Sequence, residues 1–253
     1  MHPSITLGQL TTYLDTLLDV QRFDEKAYNG LQVANNAPIK KVATAVTISK
    51  EVIAQAIKQD AQAIVVHHGI FRKGDAHPVV GRLYDYLQAL ITHNIALLGY
   101  HLPLDAHQEV GNNWRAAHDL GLTNCQPFCS LGDIPIGVIG QIETTSFYAF
   151  KKKVEAYYDR PAQAVKIHDD VRTVGIISGG ADAFIKEAAH AGADCFITGR
   201  VDERVWDDAH EYGISFLGLG HYGTETVGPK ALADTITNKF GIPTVFLKTN
   251  NPF

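Results

Sequence analysis

The sequence predicts an α/β chain of two related domains with mainly parallel or mixed sheets. Three observations predict it. Short, uninterrupted apolar runs alternate with stretches of helical periodicity, the pattern of buried parallel strands covered by helices. Several runs end in histidine or glycine, where open α/β sheets bind ligands. The order of the runs in the first half recurs in the second. At 253 residues, 45% of them hydrophobic, the chain suits one large domain or two modest ones.

Each element has its own signal. Ser4 is the expected cap of a helix whose stripe is Ile5, Leu7, Leu10, Leu14, Leu17 and Leu18. Asn29-Gly30 marks a turn. A strand is expected over 41–48, a capped helix over 49–59 and a short buried strand over 63–66 that ends in His67-His68-Gly69. A helix over 81–93 and a strand over 95–100 follow, the strand running into His101. In the second half, strands are expected over 136–142, 174–178, 195–198, 214–219 and 244–248. Helices are expected over 147–158, 182–190, 202–212 and 224–240, with Pro229 kinking the last or marking its first turn.

The halves read as an internal duplication. Val42 to Val46 sits 132 residues before Val174 to Ser178, and at that offset Val65 falls on Ile197 and His67 on Gly199. His101 and Asp105 sit 120 residues before His221 and Glu225, and both pairs read His-x-x-x-acid. Asn124, Pro127 and Gly132 place the boundary between halves near 122–132. The expected domains are 1–122 with 221–253, and 123–220.

Composition removes several function classes. With 22 basic and 27 acidic residues the net charge is −5, so a general nucleic-acid footprint is missing. No run approaches the ~18 apolar residues of a membrane helix, and Met1-His2-Pro3-Ser4 opens no signal peptide. Three cysteines, Cys125, Cys129 and Cys195, suit a reducing cytoplasm without a disulfide framework. No phosphate-loop or Gly-x-Ser-x-Gly motif is present.

The 12 histidines carry the chemistry. His67-His68, His101 with Asp105, and His221 with Glu225 all follow predicted strands. Imidazole and carboxylate together suit iron, zinc or manganese. Six ligands exceed the three that one open catalytic zinc needs. Divided between two ions they leave room for water. Adjacent His67 and His68 reach one site only where their strand is ending, and Gly69 permits a turn there. His221 and Glu225 share a face if a helix starts at or before His221. Arg72, Lys73, His77 and Arg200 are charges near these clusters that suit a phosphate, although solvated surface charge explains them equally well. Tyr222 is a candidate to stack on a base or polarise a leaving group.

These residues carry a resemblance. The chain resembles the GTP cyclohydrolase 1 type 2 homologues, also called the NIF-three-like family. The match is carried by 29–33 (Asn-Gly-Leu-Gln-Val), 65–69 (Val-Val-His-His-Gly), 100–105 (Tyr-His-Leu-Pro-Leu-Asp) and 111–113 (Gly-Asn-Asn). It continues through 196–199 (Phe-Ile-Thr-Gly) and 220–225 (Gly-His-Tyr-Gly-Thr-Glu). The resemblance implies two related α/β domains with a dinuclear metal centre between them, and a homohexameric ring. It implies His67, His68, His101, Asp105, His221 and Glu225 as ligands, with Asp105 and Glu225 bridging. Many relatives carry an acidic residue where this chain has Arg200. A cation there suits a phosphate or carboxylate. An extra domain found mid-chain in longer relatives has no room here.

The leading functional reading is metal-dependent hydrolysis of a nucleotide-like substrate. Water acidified by two divalent ions would attack an electrophilic carbon or phosphorus. The family label implies attack at C8 of GTP, and Tyr222 and Arg200 are the catalytic candidates besides that water. The alternative is a non-enzymatic metal-binding, metal-delivery, regulatory or scaffold protein. A nucleic-acid clamp is a third reading, against which the net charge weighs.

Overall fold

The computed structural model describes residues 3–74 and 78–253. The chain runs through α1 (Leu7–Leu17), β1 (Gly30–Val33), β2 (Val42–Thr47), α2 (Lys50–Lys58), β3 (Ala63–His68), α3 (Gly81–Thr92) and β4 (Ala96–Gly99). Next come α4 (Leu102–Ala106), α5 (Asn112–Asp119), β5 (Thr123–Leu131), β6 (Ile134–Ser146), α6 (Phe147–Tyr158), β7 (Gln163–Val165) and β8 (Asp170–Ile176). The remainder is α7 (Ile185–His190), β9 (Cys195–Thr198), α8 (Val205–Tyr212), β10 (Ser215–Gly218), α9 (His221–Thr224), α10 (Val227–Phe240) and β11 (Thr244–Phe246).

This is a mixed α/β chain with two sheets, and it divides into two compact units. One is Met1–Leu104 with Gly228–Asn250, the other Asp105–Val227 with Asn251–Phe253. The first sheet has the order β1-β4-β3-β2-β11, parallel except for β1. The second has the order β5-β6-β8-β9-β10-β7, with β8, β9 and β10 parallel and the other strands antiparallel.

The wiring repeats over four strands, since β1-β4-β3-β2 and β7-β10-β9-β8 have the same order and directions. The register repeats too: Val42 faces Ala63, and 132 residues later Val174 faces Cys195. Past the third parallel strand the second unit carries one residue more, which changes the offset from 119 at Gly99 and Gly218 to 120 at His101 and His221. That residue is Gly220, at φ +80°.

Both cores follow from strands buried on both faces. In the first unit Ala43, Ala45, Ile64, Val66 and Leu97 pack on Val52, Ile53 and Ala56 of α2 and Leu90 of α3. In the second, Val174, Ile176, Cys195, Ile197 and Leu217 pack with Phe147, Phe150 and Val154 of α6 and Trp114 and Ala117 of α5.

Several elements differ from their sequence signals. The first helix is capped by Thr6, not Ser4. Ile5 is drawn into a bridge with Ile39, and Thr6 and Gln9 close a reciprocal capping box behind it. Thr6→Ala should therefore cost about 1 kcal/mol. The check is a lower urea midpoint with an unchanged slope, and an unmoved midpoint would show that the box adds nothing. The segment 122–132, read as a boundary, is mostly the strand β5. It is an edge strand, so Pro127 costs no ladder bond, and Asn124 at φ +50° lies in an irregularity of the pairing. The helix expected over 182–190 opens as a 3-10 turn, and α8 begins at Val205 rather than at 202. Pro229 sits in the first turn of α10, where its missing N–H is harmless.

Candidate metal centre

The first unit gathers three imidazoles. His67 and His68 end β3, and His101 follows β4, paired to β3 in parallel. The three offer ligand atoms within 4.8 Å of one another. Their ring centroids are 4.5, 5.0 and 5.5 Å apart. His67 and His68 are adjacent and still bring their rings together, at the last residues of their strand. Gly69 serves this turn sterically and has no left-handed φ. A Cβ there would run into the Gln32 side-chain amide, which accepts the Ile70 N–H at 2.7 Å.

Each ring is held through Nδ1. His67 Nδ1 lies 3.0 Å from the Tyr100 carbonyl, and His101 Nδ1 lies 2.5 Å from Glu25 Oε2. A carbonyl or carboxylate can only accept, so both Nδ1 atoms carry the proton and Nε2 is the nitrogen of each ring that bears the lone pair a metal would take. His68 Nδ1 lies 2.9 Å from the Thr47 hydroxyl, which can act either way. Glu25 also accepts from Asn29 Nδ2 and the Leu102 N–H, while Asn29 Oδ1 accepts the His101 N–H. Burial pushes the Glu25 carboxyl up, but His101, Asn29 and Leu102 outweigh it and hold the group below its usual range. Tyr100 is buried and donates its hydroxyl to Asp15 at 2.7 Å. Burial first, and then the Asp15 charge, raise its pKa, so the phenol stays neutral.

The second unit gathers two carboxylates and an imidazole. α9 begins at His221, so His221 and Glu225 share a face, with Nε2 3.1 Å from Oε1. Asp105 and Glu225 are buried. Asp105 Oδ1 accepts from Asn112 Nδ2 at 2.9 Å and Ser178 Oγ at 3.0 Å, and Asn113 accepts the Ser178 N–H at 2.7 Å. Glu225 closes over Gly179, where a Cβ would meet Oε1. Mixed imidazole and carboxylate donors, with their orientation fixed from behind, fit a divalent metal.

The other candidates separate. Tyr222 is buried, and its N–H donates to the Phe253 carbonyl, so its ring offers no open face for stacking. Arg200 binds Asp182 at 2.6 Å. Lys73 pairs with Asp24 at 3.2 Å on the surface. His77 lies outside the described residues. Arg72 lines a cavity of about 520 Å³ in the first unit, together with Arg82, Tyr28, Tyr86 and all three imidazoles. That volume falls in the range of small-molecule sites, roughly 300–1,000 Å³. The residues missed from sequence are Glu25, Asn29, Thr47 and Asp182. Thr47 ends β2 as one more β-branched strand residue, and the other three lie outside the strands with no metal-ligand spacing to mark them.

The chain is similar to known proteins over nearly its whole length. A GTP cyclohydrolase 1 type 2 homolog of Chlamydia pneumoniae is 42% identical, covering 98% of this chain and 100% of its own. Among solved structures, a protein called ybgI, of unknown function, superposes with a TM-score of 0.92 at 31% identity over 98% of this chain and 100% of its own. TTHA1606 from Thermus thermophilus gives 0.91 at 32%, with the same coverage. The profile of Duf34/NIF3 (NGG1p interacting factor 3) matches residues 5–252, and the chain belongs to that family.

Proposed function

We propose that the chain is a metal-dependent hydrolase of a nucleotide-like substrate. His67, His68, His101, Asp105, His221 and Glu225 would hold two divalent ions of iron, zinc or manganese. The observation that carries this reading is the set of histidines anchored through Nδ1, an arrangement typical of metal ligands. Two such ions supply Lewis acidity and lower the pKa of water. The chain itself supplies orientation and binding. Glu25, Tyr100 and Thr47 fix the imidazoles, and Ser178 and Asn112 fix Asp105. In the cavity beside the imidazoles, Arg72 and Arg82 suit phosphate and the rings of Tyr28 and Tyr86 suit a base. The name of the relatives points to GTP as the first nucleotide to try. The family resemblance supports a homohexameric ring, which sedimentation would register as a mass near six chains.

The test is elemental analysis of untagged protein beside Glu225→Ala, followed by a nucleotide turnover screen. Close to two divalent ions per chain in the wild type, much reduced in the variant, with metal-dependent turnover, is the expected result. Metal retained without turnover on nucleotides or phosphoesters would turn the reading to a metal-binding or delivery protein. No metal in either protein after reconstitution with iron, zinc and manganese would sink both.

A further inference from the structure

Asp182 has no exposed surface, yet both its charged partners stand at the surface. Its carboxylate accepts from Arg200 Nε at 2.6 Å and from Arg204 Nη2 at 3.1 Å. The Asp182 side chain is 0% exposed, against 53% for Arg200 and 49% for Arg204. One buried negative charge therefore holds two outward guanidiniums, with a net charge of +1. Because Arg200 is gripped through Nε, its Nη end projects with no protein acceptor among the described residues. That end is aimed. A Cβ placed on Gly180 would lie 3.8 Å from Arg200 Nη1 and 3.6 Å from the His221 ring. Gly180 thus leaves a notch with a guanidinium on one side and an imidazole on the other. Nearby Asp202 uses its carboxylate on the Arg204 N–H at 3.4 Å.

We propose that Arg200, locked by Asp182 and flanked by Arg204, is an anion subsite that takes a phosphate or diphosphate group in the notch over Gly180, beside His221. A guanidinium already fixed in one orientation loses little freedom on binding, and its fork matches phosphate oxygens. Two cations sharing one buried counter-charge favour a multiply charged phosphate over a single carboxylate. The inference rests on the proposed function only in taking that phosphate to be part of the substrate.

The experiment is calorimetric titration of inorganic pyrophosphate into the full chain, metal-free and metal-loaded. Wild type, Arg200→Ala, Arg200→Lys and Arg204→Ala are compared, with melting temperature and metal content measured on the same samples. The metal-free arm reads the arginines alone. The expected result is binding by wild type and a loss of about tenfold or more in Arg200→Ala, the scale of a charge-assisted hydrogen bond. Arg200→Lys keeps the charge over Asp182 but lacks the fork, so it should stay folded and still bind several-fold more weakly. Competition by GMP but not guanosine would show a nucleotide phosphate as the ligand. Competition by neither would leave the site to free phosphate. Unchanged pyrophosphate affinity in folded Arg200→Ala and Arg200→Lys, or no binding by metal-free wild type, overturns the proposal. A wild type that takes up no metal but still binds pyrophosphate would overturn the hydrolase reading and leave the subsite standing.

Discussion

Glu25→Ala is expected to weaken metal binding about 10–100-fold, although Glu25 is not among the proposed ligands. Its carboxylate fixes the His101 ring through Nδ1 and also accepts from Asn29 and the Leu102 N–H. Its side chain is 9% exposed, so water does not readily replace it. Removing it frees the ring to rotate and takes away the negative charge that makes Nε2 a better donor. Glu25→Gln keeps an acceptor for Nδ1–H without the charge, and should fall between the two. The measurement is a chelator competition on folded protein, with circular dichroism as the check on folding. An Ala variant that holds metal as tightly as wild type would show that Glu25 only packs against His101, and would weaken the case that this ring is a ligand.

The six candidate ligands were legible in the sequence, and the residues that orient them were not. The reason is physical. A parallel strand buried on both faces is largely apolar, so a histidine at its end or just beyond stands out, as His67, His101 and His221 do. Glu25 lies in a loop between α1 and β1 with no periodicity around it, and only the pairing of β1 with β4 brings that loop near His101. Asn29 reads as half of a turn signal, while its side chain binds both Glu25 and the His101 N–H. Arg200 was visible as a departure from relatives. Its partner Asp182 lies 18 residues earlier and reaches it because β8 and β9 are parallel neighbours. The antiparallel strands β1, β5 and β7 were hidden for a related reason. Edge strands tolerate proline, glycine and polar residues, so they look like turns in one dimension.

Gly199→Ala should be strongly damaging to the second unit. A Cβ there would lie 2.6 Å from the Gly179 carbonyl oxygen, 2.6 Å from His221 Cα and 2.8 Å from the Gly220 carbonyl oxygen. All three are backbone atoms, so no side chain can swing away. They are also tied in place: Gly199 N–H and Arg200 N–H donate to the Gly179 carbonyl, and Gly220 N–H donates to the Gly199 carbonyl. The turns after β8, β9 and β10 therefore meet at a point where only a hydrogen fits. Making room means breaking one of these bonds or shifting His221, for a loss of about 2–4 kcal/mol. In a chain of this size that lowers the melting temperature by roughly 5–15 °C. Gly8→Ala is the matched control. Gly8 lies in α1, with its nearest neighbour 3.9 Å from the new Cβ, and alanine there should leave stability unchanged or raise it by up to about 1 kcal/mol. Because His221 is one of the three clashing groups, Gly199→Ala should also lower metal content at temperatures where the protein is still folded. A variant that melts with the wild type would mean that the three turns can separate without cost, and that His221 is not held where the geometry puts it.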